Sequence, residues 1–230
     1  MLNLDNLTCN HKGDLVLEGL NLSLAKGEIG AIMGNNGAGK STLLQAIAGF
    51  ITIDRGAICF DDNVLSTSNW VQEPSKRGVG MVFQEMALFP HINAEQNITF
   101  GVQHLPSAEK MAKLQEICEL IHATHLLDKY PYELSGGEQQ RLAIGRTLIT
   151  AKPLMLFDEP FAKLDVSLKR ELSFSVRNYL KERNITALFV SHDKAEAINM
   201  CDKLGTLDKG NLSIWHDKRD LAMDMMDLLP

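Results

Sequence analysis

The run Gly34-Asn35-Asn36-Gly37-Ala38-Gly39-Lys40-Ser41 limits what this chain can fold into more than any other feature. It fits the Gly-x4-Gly-Lys-Ser pattern of a phosphate-binding loop and stands where such a loop must stand. Before it lies the short apolar run 29–33, and after it Leu43, Leu44, Ile47 and Ala48 recur at helical spacing. A buried strand feeding a glycine-rich turn that opens a helix over 41–50 is therefore expected. In that geometry the glycines let several backbone N–H groups converge on one concavity, and the helix N-terminus adds a partial positive charge. Gly34, Asn35, Asn36, Gly37, Ala38, Gly39 and Thr42 are the candidate phosphate-binding residues, with the contacts at Asn35-Asn36 made mainly by the main chain. Lys40 is expected to reach the outer phosphates of a nucleotide and the Ser41 hydroxyl to ligate Mg²⁺.

The rest of the chain reads as one α/β module. Leu2, Leu4 and Leu7, then Leu20, Leu22 and Leu24, follow a period of two, giving half-buried strands joined by a turn at Lys12-Gly13-Asp14. Residues 61–131 read as polar loops followed by a helix opening at Pro106-Ser107, with Met111, Leu114, Ile117, Cys118 and Ile121 on one face. A helix after Ser135, a strand at 154–157, a helix over 166–184 and a strand at 187–190 restore β-α-β order and a mostly parallel sheet. The Met-rich, acidic stretch 222–230 reads as a short docked helix or a frayed tail.

Composition removes other classes. A formal net charge of -6 argues against a chain that coats nucleic acid, which needs clustered Lys and Arg to neutralise phosphates. Cys9, Cys59, Cys118 and Cys201 form no CxxC pair, so neither a zinc site nor a disulfide framework is expected, in keeping with a reducing cytosol. No signal-peptide pattern and no apolar run of membrane-spanning length is present.

Two further segments carry chemistry. Leu154-Met155-Leu156-Phe157-Asp158-Glu159 is an apolar strand ending in two acids, placing Asp158 to hold Mg²⁺ and Glu159 to polarise an attacking water. Alone, such a run is better read as a strand ending in a solvated acidic turn. Leu134-Ser135-Gly136-Gly137-Glu138-Gln139-Gln140-Arg141 sets a hydroxyl and a pair of glycines at a helix start, a second anion-binding geometry for which one chain has no obvious use.

Taken in order, the phosphate loop, Phe83-Gln84, Leu134-Ser135-Gly136-Gly137-Glu138, Leu156-Phe157-Asp158-Glu159-Pro160, Leu164-Asp165 and Ser191-His192-Asp193 resemble the nucleotide-binding domain of ABC transporters over nearly the whole chain. The resemblance implies an α/β fold: a P-loop NTPase core with a mostly parallel sheet, an antiparallel β subdomain and a helical lobe. It divides a single domain, 1–230, into a core formed by 1–84 and 150–216, a helical lobe over about 85–149 bearing the Ser135-Gly136-Gly137-Glu138 signature, and a short tail at 217–230. It further implies a head-to-tail dimer of two copies, in which the phosphate loop of one and the signature of the other enclose the same ATP. By matching position, Gln84 touches Mg²⁺ and the attacking water, His192 contacts the γ-phosphate and supports Glu159, and Asp165 lies at the dimer seam.

The sequence departs from its relatives at three places. His11 stands where an aromatic residue usually stacks on adenine, Asn35-Asn36 replaces a commoner Pro-Ser type pair, and Ala162-Lys163 replaces a seam that often reads Ser-Ala. The segments Gly80-Met81-Val82-Phe83-Gln84, Ala87-Leu88-Phe89-Pro90-His91 and Asn97-Ile98-Thr99-Phe100-Gly101 resemble ATPase subunits of bacterial importers for ferric iron, polyamines, thiamine and related small solutes. That resemblance implies integral membrane permease subunits as partners, an extracytoplasmic solute-binding protein acting indirectly, and a peripheral place on the cytoplasmic face of the plasma membrane. The C-terminal regulatory β-domain of such importers is not expected in a chain stopping at Pro230. A soluble ABC-type ATPase serving nucleic acid or an assembly machine is the rival class. It would be marked by tandem cassettes, a long coiled-coil insertion or a basic face.

Overall fold

The computed structural model describes residues 1–11 and 13–217, without the side chains of His11 and Ile214. The leucine alternation at the start becomes a hairpin of β1 (Leu2–His11) and β2 (Asp14–Leu24), in which Leu2 faces Leu24, Leu4 faces Leu22 and Leu7 faces Leu20. All six leucines are buried, so a one-residue slip would expose the whole set. β4 (Arg55–Phe60) pairs with the other edge of β1, and β5 (Asn63–Thr67) and β6 (Trp70–Val71) complete an antiparallel sheet of order β2-β1-β4-β5-β6.

β3 (Ile29–Met33) belongs to a second sheet of order β11-β10-β3-β9-β8-β7. Its other members are β7 (Val79–Val82), β8 (Leu154–Asp158), β9 (Thr186–Ser191), β10 (Lys203–Asp208) and β11 (Asn211–Asp217). Neighbours from β7 through β10 are parallel, and only β11 runs antiparallel to its partner β10. β8 and β9 are buried along their whole length, as strands covered on both faces must be, and Phe157 stacks on Phe189 between them with centroids 4.2 Å apart.

α1 (Lys40–Ala48) packs its apolar face into a core shared with the antiparallel sheet, where Leu43, Leu44 and Ile47 meet Leu4, Leu20 and Ile58. On the opposite face of the parallel sheet, a second core holds α2 (Ala94–Thr99), α3 (Ser107–Leu120), α4 (Gly136–Leu148), α5 (Val166–Glu182) and α6 (Lys194–Met200). The C-terminus of α1 is closed by Arg77, whose buried guanidinium donates to the carbonyls of Ala46 and Ile47 and to the Ser66 hydroxyl. Burial lowers its pKa to about 10, still far above neutrality, so the cap remains charged.

Residues 61–131 were expected to open as polar loops; the structure instead forms β5, β6 and β7 there. β5 buries only Leu65 and Ser66, side by side, and β7 buries only Val82, so neither shows the alternation that marks a strand. In α3 the expected apolar face holds for Leu114, Ile117, Cys118 and Ile121, but Met111 is 52% exposed, one turn too early to reach the core. The stretch 222–230 lies outside the described residues.

Candidate nucleotide site

The phosphate loop leaves β3 at Gly34 and enters α1 at Lys40, and its shape is set by steric demands at two glycines. A Cβ on Gly34 would stand 2.3 Å from the Leu207 carbonyl oxygen of β10. Gly39 has φ +102, and a Cβ there would meet the Val16 carbonyl and Leu17 of β2 at 3.0 Å. The loop closes through Ala38 N–H donating to the Asn35 carbonyl and Gly210 N–H donating to the Ala38 carbonyl. The Lys40 ammonium, almost wholly buried, turns back and donates to the carbonyls of Gly34 at 2.7 Å and Asn35 at 3.1 Å.

Beside this loop, β8 ends in Asp158 and Glu159. Asp158 is 5% exposed; burial raises its carboxyl pKa and the Glu159 charge adds to the rise, while hydrogen bonding to Ser41 and the Lys40 charge oppose it. Glu159 sits at φ +46, an unfavourable backbone region for a side chain. Its N–H donates to the Val190 carbonyl of β9 at 3.0 Å, and its carbonyl accepts from the Gln140 amide at 3.0 Å and from the Ala162 N–H at 3.3 Å. Its Oε1 lies 3.1 Å from His192 Nδ1. The His192 turn is braced from α5, because Lys169 donates to Asp193 at 3.0 Å and pairs with Glu196 at 3.4 Å, while Asp193 caps α6 through the N–H groups of Ala195 and Glu196.

One open cavity of about 890 Å³ is lined by Asn35, Asn36, Gly37, Gly39, Lys40, Ser41, Thr42, Gln84, Glu159 and His192, together with Val16 of β2. The parallel sheet thus carries the loop, the acid and the histidine, read from the sequence at widely spaced positions, to one edge. A family profile described as ABC transporter matches residues 17–162, well over half of the chain. This chain belongs to the ABC transporter family.

The other comparisons agree. The chain is 39% identical over 209 residues to the maltose/maltodextrin import ATP-binding protein MalK of Vibrio cholerae, covering 89% of this chain and 55% of that protein. It is 37% identical over 200 residues to the spermidine/putrescine import ATP-binding protein PotA of Bacillus thuringiensis, covering 86% and 60%. This ABC chain therefore spans little more than half the length of the curated relatives it matches. Among solved structures, a dimeric ATP-binding cassette in a post-hydrolysis state bound to ADP and phosphate superposes with a TM-score of 0.85 at 27% identity, covering 95% of this chain and 99% of that one. The cbiO1 protein of Clostridium perfringens, part of the ABC transporter complex cbiONQ, superposes with a TM-score of 0.83 at 27% identity, covering 99% and 92%.

Within a single ABC chain the remaining candidates stand apart from the cavity. Gly34, Ala38 and Asp158 are not among the cavity's lining, although Asp158 is hydrogen-bonded to Ser41, which is. Ser135, Gly136, Gly137, Glu138 and Asp165 are not among the cavity's lining. Ser135 caps α4: its hydroxyl donates to the Glu138 carboxylate at 2.6 Å and accepts from the Glu138 N–H at 3.3 Å. That bond from Ser135 comes first among the contacts lowering the Glu138 pKa. Asp165 likewise caps α5, accepting from the Leu168 N–H at 2.9 Å. His11 ends β1, and its side chain, the candidate at the adenine position, lies outside the described residues. Sequence reasoning gave no role to Val16, Gln140 or Lys169. Gln140 stands inside the run from Leu134 to Arg141, but its partners are 19 and 23 residues away, so no local pattern marks them.

Proposed function

We propose that this chain binds and hydrolyses ATP as one half of a head-to-tail dimer and drives import of a small solute through separate integral membrane permease subunits. The observation that carries the reading is the Glu159–His192 pair at the rim of the phosphate-loop cavity, because a static nucleotide binder needs no carboxylate and imidazole held 3.1 Å apart there. Lys40, released from the Gly34 and Asn35 carbonyls, supplies positive charge to the outer phosphates. Glu159 orients and polarises the attacking water, a role worth roughly 10²- to 10⁴-fold in rate. His192 holds the Glu159 carboxylate and reaches the γ-phosphate from the opposite wall, with Gln84 completing the water site. The buried Asp158 carboxylate beside the Ser41 hydroxyl is the hard-oxygen donor set that suits Mg²⁺, which when bound neutralises phosphate charge.

Purified protein is expected to hydrolyse ATP, with Glu159→Gln reducing turnover at least 10²-fold and Lys40→Ala weakening ATP binding. Equal, slow hydrolysis by the wild type and Glu159→Gln would sink the catalytic reading. Because Ser135-Gly136-Gly137-Glu138 and Asp165 stand apart from the chain's own cavity, a second copy is the proposed source of the missing wall. Glu159→Gln saturated with ATP should double in mass, with the permease added if the isolated subunits pair weakly.

Support for a membrane partner comes from an apolar groove of about 410 Å³ beside Gln84, lined by Met81, Phe83, Phe89, Phe100 and Arg146. Phe100 is 53% exposed there, on a surface suited to the apolar side of a permease helix. Among the described residues no helix is long and apolar enough to cross a membrane. The proposed place is accordingly peripheral, on the cytoplasmic face of the plasma membrane, with a solute-binding protein acting indirectly. The two named relatives import chemically unlike solutes, a maltodextrin and a polyamine, which argues that selectivity lies outside the cassette. Ferric iron, polyamines and thiamine are solutes of the proposed class. Uptake by vesicles containing the co-purified permease, with ATP on the cassette side, tests the direction and the solute together.

A further inference from the structure

Gln140 is 2% exposed and uses both ends of its amide on the catalytic side of the molecule. Its Nε2 donates to the Glu159 carbonyl at 3.0 Å, and its Oε1 accepts from the Lys163 N–H at 2.7 Å. It lies in α4, the helix opened by the signature residues, and a deeply buried amide satisfied at both ends has one orientation available. Glu159 needs such a hold, because its backbone is strained at φ +46 and, among the described residues, its other long-range backbone tie is to Val190. Lys163 is gripped by the same amide and packs on the signature itself: Cβ atoms at Gly136 and Gly137 would stand 3.3 Å from the Lys163 Cδ and 3.2 Å from its carbonyl oxygen. One side chain therefore joins the signature helix, the backbone of the catalytic acid and the segment leading to Asp165.

We propose that Gln140 is a positioning residue that makes engagement of a nucleotide at this subunit's signature set the backbone of the same subunit's Glu159. The proposal rests on the head-to-tail dimer reading. In that arrangement the nucleotide at the signature is held by the partner's phosphate loop, so Gln140 links one ATP site to the acid of the other. A displacement of the α4 N-terminus, carried through a rigid buried amide, moves the Glu159 carbonyl and the Lys163 N–H together.

The test uses the full chain with its permease. Gln140→Met removes both hydrogen bonds at nearly constant volume, and Gln140→Glu keeps an acceptor for the Lys163 N–H while removing the donor to Glu159. Both are expected to lower kcat about 10-fold with KM for ATP within 2-fold of the wild type, and to bring the Hill coefficient for ATP towards 1. In the Glu159→Gln background, Gln140→Met should still double in mass with ATP. Failure of Glu159→Gln alone to pair counts against the dimer, whereas normal pairing with unaltered kcat and Hill coefficient in Gln140→Met counts against Gln140. A rise in KM at constant kcat overturns the positioning role in favour of a general loss of binding. Should Gln140→Met not fold, amide exchange in the unmutated protein decides. The Lys163 N–H should be protected and become more so with a non-hydrolysable ATP analogue, and an unprotected Lys163 in both states overturns the proposal.

Discussion

At the scale of single residues, the site depends on a few positions where backbone geometry leaves no alternative side chain. Gly39 is the clearest, with φ +102 and the Val16 carbonyl 3.0 Å from any added Cβ. Gly39→Ala is expected to destabilise the protein by about 1–3 kcal/mol through the left-handed backbone alone. Because the strain falls where the loop turns into α1, ATP affinity should drop as well. Urea unfolding and nucleotide titration of the same preparation check both effects, and a variant with wild-type stability would show that the loop relaxes freely. Glu159 is the opposite case, a residue with a full side chain at φ +46 and the one proposed to polarise the attacking water. The first kind of position is legible in a sequence, since glycine announces it; the second is not.

Among the elements, the tie between α5 and the central sheet is electrostatic as well as apolar. The Asp202 carboxylate accepts from Arg177 and Lys181 at 2.7 Å and from the Ile29 N–H at 2.9 Å, so it fixes α5 to the first residue of the strand that carries the phosphate loop. Burial pushes the Asp202 pKa up, but the hydrogen bonds from Lys181, Arg177 and Ile29 outweigh it and hold the group below the ordinary carboxylate range. A depressed acid stabilises the fold fully above its unfolded pKa of about 4 and loses that contribution as pH falls through the folded value. Asp202→Asn is thus expected to lower stability by about 2 kcal/mol at neutral pH, with the gap to wild type narrowing as pH falls below about 4. Unfolding midpoints across that range report it, and a gap independent of pH would show that the charge is not what matters.

For the molecule as a whole, the parallel sheet converts distant positions into one edge, and the apolar groove that includes Phe83 adjoins that edge through Gln84. Phe100→Glu should leave the ATPase rate of the isolated protein unchanged and reduce the stimulation given by the permease several-fold, because Phe100 is exposed and its ring lies beside Phe89, with centroids 4.4 Å apart. Full stimulation in that variant would move the proposed docking surface elsewhere. The parallel sheet and the candidate site positions that meet in one cavity were legible in the sequence because each is written in consecutive residues: the run from Gly34 to Ser41, the acids ending β8, and His192 after an apolar strand. β5 and β6 were not, since a strand that buries one adjacent pair of side chains and a two-residue strand that buries none leave no period to read. Gln140, Lys169 and Asp202 were not legible either, for a different reason. Their bonds run between elements far apart in the chain, and only the packed sheet brings the partners together.

The ammonium of Lys40, bonded to the carbonyls of Gly34 and Asn35, carries a last consequence. Both oxygens belong to the loop itself, so the side chain clasps the turn after β3 to the first residue of α1. Replacing the ammonium therefore takes away a brace of the backbone as well as a charge.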